Sequence, residues 1–260
     1  MMEKVKLIDV SKCIGCRSCQ IACKQWNKLP AGSTQNTGTY QNPPDLQGNT
    51  WTLVRFREVS DKTGKVKWLF RADSCMHCTE ATCEKICPAG ARVRLDYGAI
   101  ARNDEKCIGC QSCVVACPFG KARYSEEENK VYKCGLCPDR VQNNLLPACV
   151  QACPTGAMQF GNKEEMLKLA YRRVQELGGE ASVYGDKFFG GTHVVYVLEE
   201  KVGLYDGLPA KPKVASNVIF WKDLAKFLRP METGVGLAAI TASAVLKRRR
   251  NADRPAAKKI

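Results

Sequence analysis

The stretch Lys106-Cys107-Ile108-Gly109-Cys110-Gln111-Ser112-Cys113, with Val114-Val115-Ala116-Cys117-Pro118 directly after it, decides how this chain folds. Its cysteines follow the spacing C-x2-C-x2-C-x3-C-P, which binds [4Fe–4S] clusters. Three closely spaced thiolates let a tight loop wrap one small cubane, and Gly109 permits close approach of the backbone. The last cysteine lies too far along the chain to close the same loop, and in proteins with two clusters it ligates the other one. The stretch therefore predicts one half of a pair of cluster-binding motifs.

The chain repeats this stretch. Residues 12–19 (KCIGCRSC) return as residues 106–113 (KCIGCQSC), and in both copies an alanine precedes the fourth cysteine. Two further groups resemble each other in the same way, because they end in CPAGA at residues 87–91 and CPTGA at residues 153–157. Such internal similarity indicates duplicated units.

All sixteen cysteines belong to four groups, and none is left over. At four thiolates per cubane, this count predicts four [4Fe–4S] clusters and hence a chain that moves electrons. The groups are Cys13, Cys16, Cys19, Cys23; Cys75, Cys78, Cys83, Cys87; Cys107, Cys110, Cys113, Cys117; and Cys134, Cys137, Cys149, Cys153.

Two other uses of grouped cysteines compete with this interpretation. Disulfides suit small secreted chains, but 260 residues can bury a core without crosslinks, and C-x2-C-x2-C spacing gives poor disulfide geometry. Zinc is the stronger rival, because thiolate quartets bind it too. Zinc sites usually present separated C-x2-C pairs and do not require a third cysteine immediately after a pair. A zinc-stabilised interaction module is therefore kept as an alternative of a different class.

The formal net charge of +14 suggests nucleic-acid binding only at first sight. An oxidised cubane with four thiolates carries about −2, so four clusters bring the total to about +6. The last fourteen residues, 247–260, hold seven Lys or Arg against one Asp, which accounts for this remainder. The cluster-loaded body is then close to neutral, and we expect no nucleic-acid partner.

The segments between the cysteine groups predict few regular elements. Residues 32–49 are rich in Gly, Asn, Thr, Gln and Pro and indicate a surface loop. Residues 51–56 and 65–70 have the composition of strands, and residues 61–64 (DKTG) have that of a hairpin turn. A helix is predicted from Asn162 to the glycines at 178 and 179, and a strand over residues 192–198.

No catalytic site is visible in the sequence. The chain has two histidines, and it shows neither a nucleophile–base constellation nor a G-x-G-x-x-G or P-loop motif. His77 lies inside the second cluster loop, where a structural role is favoured and a hydrogen bond that tunes a cluster is the functional alternative. His193 is predicted to be a structural residue of a strand. We therefore predict no catalytic residues.

Several stretches outside the loops carry a resemblance to a known family. The order of the groups, with Cys75-Met76-His77-Cys78 opening the second, resembles the four-cluster iron–sulfur subunits of molybdenum or tungsten oxidoreductases. The flanking stretches are most similar to the beta subunit of formate dehydrogenase, and the similarity covers nearly the whole chain. Related nitrate reductase subunits replace one cysteine and hold a [3Fe–4S] cluster, whereas every ligand is present here. The flanking stretches are residues 51–56, 68–71, 193–199, 204–209 and 220–222.

The resemblance also implies a pairing of the groups. In that family the first and fourth groups share one ferredoxin-like unit, and the second and third share the other. Pairing of adjacent groups is the alternative that the spacing leaves open. The implied ligand sets are Cys13, Cys16, Cys19 and Cys153; Cys23, Cys134, Cys137 and Cys149; Cys75, Cys78, Cys83 and Cys117; and Cys87, Cys107, Cys110 and Cys113.

The family implies a non-catalytic electron-transfer subunit. A catalytic alpha subunit with a Mo or W bis-pterin cofactor would oxidise formate, and the four clusters would relay electrons to a cytochrome b gamma subunit and quinone, or to another acceptor. The equivalent subunit of a polysulfide- or sulfoxide-type reductase is the alternative within the superfamily.

The predicted fold class is α+β. Two ferredoxin-like double-cluster units lie within residues 1–200, and residues 26–73 form an insertion with a β-hairpin. Residues 201–227 are predicted to be a linker, and residues 228–260 a C-terminal helix with a basic tail. The uncharged run at 233–246 is shorter than the about 20 residues of a spanning helix, but the resemblance favours a membrane anchor.

The charge of the tail predicts an orientation. By the positive-inside rule the basic residues stay cytoplasmic, which places the cluster units in the periplasm. The first residues, Met1-Met2-Glu3-Lys4, do not resemble a signal peptide, so we expect export together with the catalytic partner. A cytoplasmic location is the alternative.

Overall fold

The computed structural model describes residues 3–60 and 63–214. Within them, four α-helices of four or five residues accompany two longer ones, and ten strands form one larger sheet and three two-stranded ladders. The predicted C-terminal helix and basic tail, and the predicted linker from residue 215 onward, lie outside the described residues. No helix of the described part is long and apolar enough to span a membrane.

The strands are β1 (Lys4–Asp9), β2 (Leu53–Ser60), β3 (Val66–Asp73), β4 (Arg92–Arg94), β5 (Ile100–Arg102), β6 (Arg123–Ser125), β7 (Lys130–Tyr132), β8 (Met158–Asn162), β9 (Ser182–Tyr184) and β10 (Val194–Leu198). The α-helices are α1 (Ser18–Trp26), α2 (Thr82–Lys85), α3 (Ser112–Val115), α4 (Pro138–Gln142), α5 (Ala148–Gln151) and α6 (Lys163–Leu177), with 3-10 turns at Val10–Lys12, Phe188–Gly190 and Val202–Leu204.

The larger sheet joins the two ends of the described chain. Its order is β8-β1-β10-β9, in which β1 pairs parallel with β10 and antiparallel with β8, and β9 pairs antiparallel with β10. Both central strands are buried on both faces, as expected for strands covered on two sides, although β1 also carries the buried charged residues Lys6 and Asp9. In β1, Val5 and Leu7 pack towards α6, whereas Ile8 packs towards the cysteine loops. The sheet therefore lies between helix α6 on one face and the cysteine loops on the other.

Helix α6 begins and ends where the sequence predicts. The side chain of Asn162 accepts the backbone N–H of Glu164 at 2.9 Å and caps the helix. Glu164 and Glu165 lie in the first turn, where the helix dipole favours negative charge. Ala170 is fully buried against the sheet, and the helix stops at Gly178, whose φ is +64°. The predictions of this helix and of the strand that becomes β10 are confirmed.

The second and third cysteine groups lie on a different framework. Two short antiparallel ladders, β4–β5 and β6–β7, have three residue pairs each. Helices α2 and α3 contact each other beside these ladders. Strands β2 and β3 form a longer antiparallel pair from Leu53 opposite Asp73 to Ser60 opposite Val66.

A buried group of charges holds the end of the β2–β3 pair at which Leu53 lies opposite Asp73. The carboxylate of Asp73 is fully buried and forms ion pairs with Arg55 at 2.7 Å, Arg71 at 2.9 Å and Lys121 at 2.6 Å. Burial alone would raise the pKa of Asp73, but the charges of Arg71, Lys121 and Arg55 hold it well below its usual range. Because Lys121 follows the third cysteine group, this network ties the β2–β3 pair to the second framework. Nothing in the sequence pattern predicted this network.

Candidate iron–sulfur centres

The fold gathers cysteines that are far apart in sequence. Three cavities are each lined by four of them, and the remaining four cysteines make up a further set. We call these sets sites I to IV. Site I has Cys13, Cys16, Cys19 and Cys153; site II has Cys23, Cys134, Cys137 and Cys149; site III has Cys75, Cys78, Cys83 and Cys117; and site IV has Cys87, Cys107, Cys110 and Cys113.

The repeated sequence of the first and third groups has a repeated conformation. Gly15 and Gly109 have φ of +68° and +70°, and Arg17 and Gln111, two residues later, have φ of +62° and +58°. A Cβ on Gly109 would lie 2.3 Å from the carbonyl oxygen of Asn129, so this position has no room for a side chain. The left-handed residues turn backbone N–H groups towards the thiols, as with the N–H of Gly15 to Cys13 and that of Gly109 to Cys107.

The second and fourth groups share another pattern of N–H···S contacts. The N–H of His77 lies 3.4 Å from the Sγ of Cys75, and the N–H of Leu136 lies 3.4 Å from the Sγ of Cys134. At the last cysteine of a group, Lys121 N–H lies 3.2 Å from Cys117 Sγ. Hydrogen bonds to the sulfurs raise the potential of a cluster, because they stabilise its more negative state.

Burial makes these thiols poor acids unless a metal replaces the proton. Burial, with a smaller contribution from the charges of neighbouring cysteines, raises the pKa of Cys19, Cys83 and Cys137 to about 12. A bound metal replaces those protons, so the sites are prepared for metal rather than for free thiolate. The residues Cys16 and Cys110 are exposed instead, so sites I and IV reach the surface.

Unsatisfied donors next to these sites fit a group with acceptor sulfurs. His77 lines site III and its Nδ1 accepts the N–H of Ile100 at 3.0 Å, so the hydrogen of the neutral ring is on Nε2. That buried Nε2, and the Nη1 of Arg92, have no hydrogen-bond partner within the described chain. Buried donors are normally satisfied, and the sulfurs of a bound cubane supply acceptors for both. The donor set and the thiol quartets together fit [4Fe–4S] clusters.

His193 has the structural role that its strand position predicts. Its Nδ1 bonds the carbonyl oxygen of His77 at 2.9 Å, which links β10 to the second cysteine loop. A Cβ on Gly98 would lie 1.9 Å from the Nε2 of His193, so the turn after β4 packs directly on this ring. The two histidines thus connect the larger sheet to the second cysteine loop.

Comparisons with known proteins agree with the cysteine pattern. Two family models of 4Fe-4S dicluster domains match, one over residues 12–91 and one over residues 66–163. The formate dehydrogenase-O iron–sulfur subunit of Escherichia coli is 46% identical over 94% of this chain and 82% of its own length. This chain belongs to the iron–sulfur subunits of formate dehydrogenase. The corresponding subunit of Haemophilus influenzae is 46% identical over 91% of this chain and 78% of its own length. A formate dehydrogenase 2 subunit beta (cytochrome c-553) of Nitratidesulfovibrio vulgaris is 38% identical over 67% of this chain and 84% of its own length.

Family membership decides between the alternatives for the role and the cofactor that the sequence left open. A formate dehydrogenase iron–sulfur subunit is a non-catalytic electron-transfer component, and this chain carries four [4Fe–4S] clusters in two ferredoxin-like dicluster domains. The predictions of cofactor, family and role are confirmed. The zinc module and the polysulfide- or sulfoxide-type reductase subunit are not supported.

Proposed function

We propose that sites I to IV are the ligand sets of the four clusters, which is the pairing of the first cysteine group with the fourth and of the second with the third. The support is that three cavities each combine three cysteines of one group with the last cysteine of its partner group. Adjacent pairing would require Cys23 to share a cavity with Cys75, Cys78 and Cys83, whereas it lines the one with Cys134, Cys137 and Cys149.

The four sites form a linear series in this proposal, in the order I, II, III, IV. Cys19 of site I interacts electrostatically with Cys149 of site II, and Cys134 of site II with Cys75 of site III. Arg92 connects sites III and IV, because its charge acts on Cys83 and its Nη2 lies 3.4 Å from the Sγ of Cys113. Bound clusters supply one-electron transfer, and the protein keeps water from the inner sites while Cys16 and Cys110 bring the outer ones to the surface.

The similarity to formate dehydrogenase subunits supports a proposal for the partners. The subunit receives electrons from a catalytic alpha subunit with a Mo or W bis-pterin cofactor, which oxidises formate. It passes them to a cytochrome b gamma subunit and quinone. The observation that carries this assignment is the 46% identity to the Escherichia coli subunit over 94% of the chain.

The domain boundaries and the location belong to the same proposal. Residues 1–200 make up the cluster domain, with residues 26–73 inserted in its first unit and carrying the β2–β3 hairpin. The linker is predicted to begin at residue 201, but Tyr205 and Leu208 are buried in the core, so the part that can act as a linker follows residue 214 and extends to residue 227. Residues 228–260 are a membrane-anchoring helix with a cytoplasmic basic tail in this proposal. The cluster domain then lies in the periplasm after export with the catalytic subunit.

Two experiments test these proposals. The purified complex should contain about sixteen iron and sixteen sulfide for this subunit, and formate should reduce its clusters, followed by electron paramagnetic resonance, only when the catalytic subunit is present. Protease treatment of intact spheroplasts should degrade the cluster domain. Formate reduction by the isolated subunit would contradict the assignment, and protection from the protease would contradict the periplasmic location.

A further inference from the structure

Three buried cations near the cysteine sites lack a carboxylate partner. Within residues 3–60 and 63–214, no carboxylate forms an ion pair with Lys6, Lys133 or Arg92, although all three are buried. Lys6 donates to the hydroxyl of Ser74 at 2.9 Å. Lys133 donates to two backbone carbonyls, at 2.5 and 3.2 Å, and Arg92 donates to the carbonyl oxygen of Val131 at 3.0 Å and to a cysteine sulfur. A buried charge without a counter-charge is strongly unfavourable.

Two other buried cations of the described chain are paired with a carboxylate. Arg71 and Lys121 have exposed fractions of 1% and 3%, similar to those of Lys6 and Arg92, yet both pair with the carboxylate of Asp73. A third, Arg140, instead donates to the carbonyl oxygen of Leu146 at 2.6 Å and to the side chain of Gln151, and it lies over the ring of Trp26. Lys6, Lys133 and Arg92 have no such carboxylate among the described residues, so any negative charge near them has another source. The cysteine thiolates are the anions within reach of all three.

Each cation acts on cysteines of two successive sites. Lys6 interacts with Cys19 of site I and with Cys134 and Cys149 of site II. Lys133 lines the cavities of both site II and site III. The Nη2 of Arg92 contacts Cys113 of site IV, and its charge also acts on Cys75 and Cys83 of site III. Arg92 also lines the cavity of site II, but the cysteines on which its charge acts belong to sites III and IV. Three cations thus correspond to the three junctions of a four-site series.

We propose that Lys6, Lys133 and Arg92 are fixed positive charges at the three junctions between neighbouring clusters, where each offsets repulsion between two clusters and raises the reduction potential of both. The inference rests on the proposed ligand sets. A [4Fe–4S] cluster with four thiolates is an anion that gains another negative charge on reduction, and two adjacent anions disfavour each other's reduction. A cation held in the low-dielectric interior is screened little by water, so it acts on both neighbours.

The test uses the purified complex and a redox titration followed by electron paramagnetic resonance. The variants are Lys6→Met, Lys133→Met and Arg92→Met, each of which removes one charge and keeps most of the volume. Charge-preserving partners are Lys6→Arg, Lys133→Arg and Arg92→Lys. Lys4→Met is the matched control, because Lys4 lies in the same strand as Lys6 but is partly exposed, so water screens its charge. Iron and sulfide are measured in every preparation.

The inference predicts which clusters change their reduction potential in each variant, as well as the size of the change. Each charge-removing variant should make reduction of its two flanking clusters at least tenfold less favourable, which is about 59 mV for one electron. Lys133→Met should lower the potentials of the two inner clusters. Lys6→Met should lower the potentials of the clusters at sites I and II. Arg92→Met should lower those of the clusters at sites III and IV, so the two variants should affect different clusters. The charge-preserving variants and Lys4→Met should leave all four potentials near those of the unmodified complex.

Three results would overturn the inference. Unchanged potentials in fully iron-loaded charge-removing variants would show that the charges do not act on the clusters. Equal shifts of all four potentials in every variant would point to a general structural change. Iron loss that the charge-preserving variant does not restore would make that residue structural. A structure of the unmodified complex in which Cys23 ligates the cluster held by Cys75, Cys78 and Cys83 would instead refute the proposed ligand sets, so the two failures are distinguishable.

Discussion

The two dicluster regions hold similar cysteine loops on different frameworks. The first region carries sites I and II on the sheet β8-β1-β10-β9, whose strands come from both ends of the described chain. The second carries sites III and IV between residues 75 and 132, beside the ladders β4–β5 and β6–β7. The loop conformations at Gly15 and Gly109 are nearly the same in both regions. Local sequence therefore sets the loop, and the framework around it is free to differ.

The two frameworks differ most in the sequence separation between their paired strands. Strand β1 pairs with β10, Lys6 opposite Val194, so the first region closes only when distant segments meet. The ladders of the second region connect neighbours, such as Arg92 with Arg102. Closing a long loop costs conformational entropy before its contacts form. We infer that the second region can form first and that the first region depends more on the packing of its sheet.

The largest effect is expected where the charge network ties the β2–β3 pair to the second region. Asp73→Asn should lower the free energy of unfolding by about 3 to 5 kcal/mol, because it leaves the buried charges of Arg71 and Lys121 without their carboxylate. Urea unfolding followed by cluster absorbance measures the change. Glu200→Gln, which removes one half-exposed partner of Lys67, is the control and should cost less than about 1 kcal/mol. Equal effects of the two variants would contradict a structural role for the network.

A matched pair of core substitutions separates the two regions. Ile8 in β1 and Ile100 in β5 are each 1% exposed, and they line sites I and III. Ile8→Ala and Ile100→Ala should each cost about 2 to 5 kcal/mol through the cavity left behind. Chelator challenge should then remove iron first from sites I and II in the former and from sites III and IV in the latter. Loss from all sites at one rate in both variants would show that the regions unfold as one unit.

The repeated glycines give a finer comparison. Gly109→Ala places a Cβ 2.3 Å from a backbone oxygen, whereas Gly15→Ala meets the rings of Phe56 and Phe70 at 3.1 Å. Both positions have positive φ, which costs alanine about 1 to 2 kcal/mol. Only Gly109→Ala also forces the backbone to move, so it should lose iron from site IV, whereas Gly15→Ala should keep its iron at lower stability. Iron analysis and cluster spectra compare them, and a greater loss in Gly15→Ala would count against the backbone explanation.

The smallest effect concerns a helix that only the first region has. Asn162→Ala removes the side-chain cap of α6 and should lower stability by about 1 kcal/mol. All four clusters should remain, because α6 lies behind the sheet and contributes no ligand. Asn162→Asp keeps an acceptor at the cap and should restore stability. A loss of iron in Asn162→Ala with normal stability would mean that the helix affects the sites directly.

The sequence was most informative where chemistry depends on neighbours in the chain. Cysteine spacing predicted the clusters, their number and the loops, because a ligand loop is local and its geometry is repeated. The cap at Asn162 and the end of α6 at Gly178 were also predicted, since helix ends depend on a few adjacent residues. The ion pairs of Asp73 were missed, because nothing near Asp73 in sequence indicates that Lys121 will lie 2.6 Å away.

By itself, the sequence determined that this chain binds four [4Fe–4S] clusters, and it predicted sixteen cysteines as their ligands and no catalytic residues. Spacing and residue type are enough for that, because the thiolate is the ligand wherever the loop is placed. The tertiary structure decided which cysteines share a cavity and where Lys6, Lys133 and Arg92 stand between them. These relations join residues far apart in the chain, and they arise only when the sheet and the ladders pack and bury charge at the junctions between the sites.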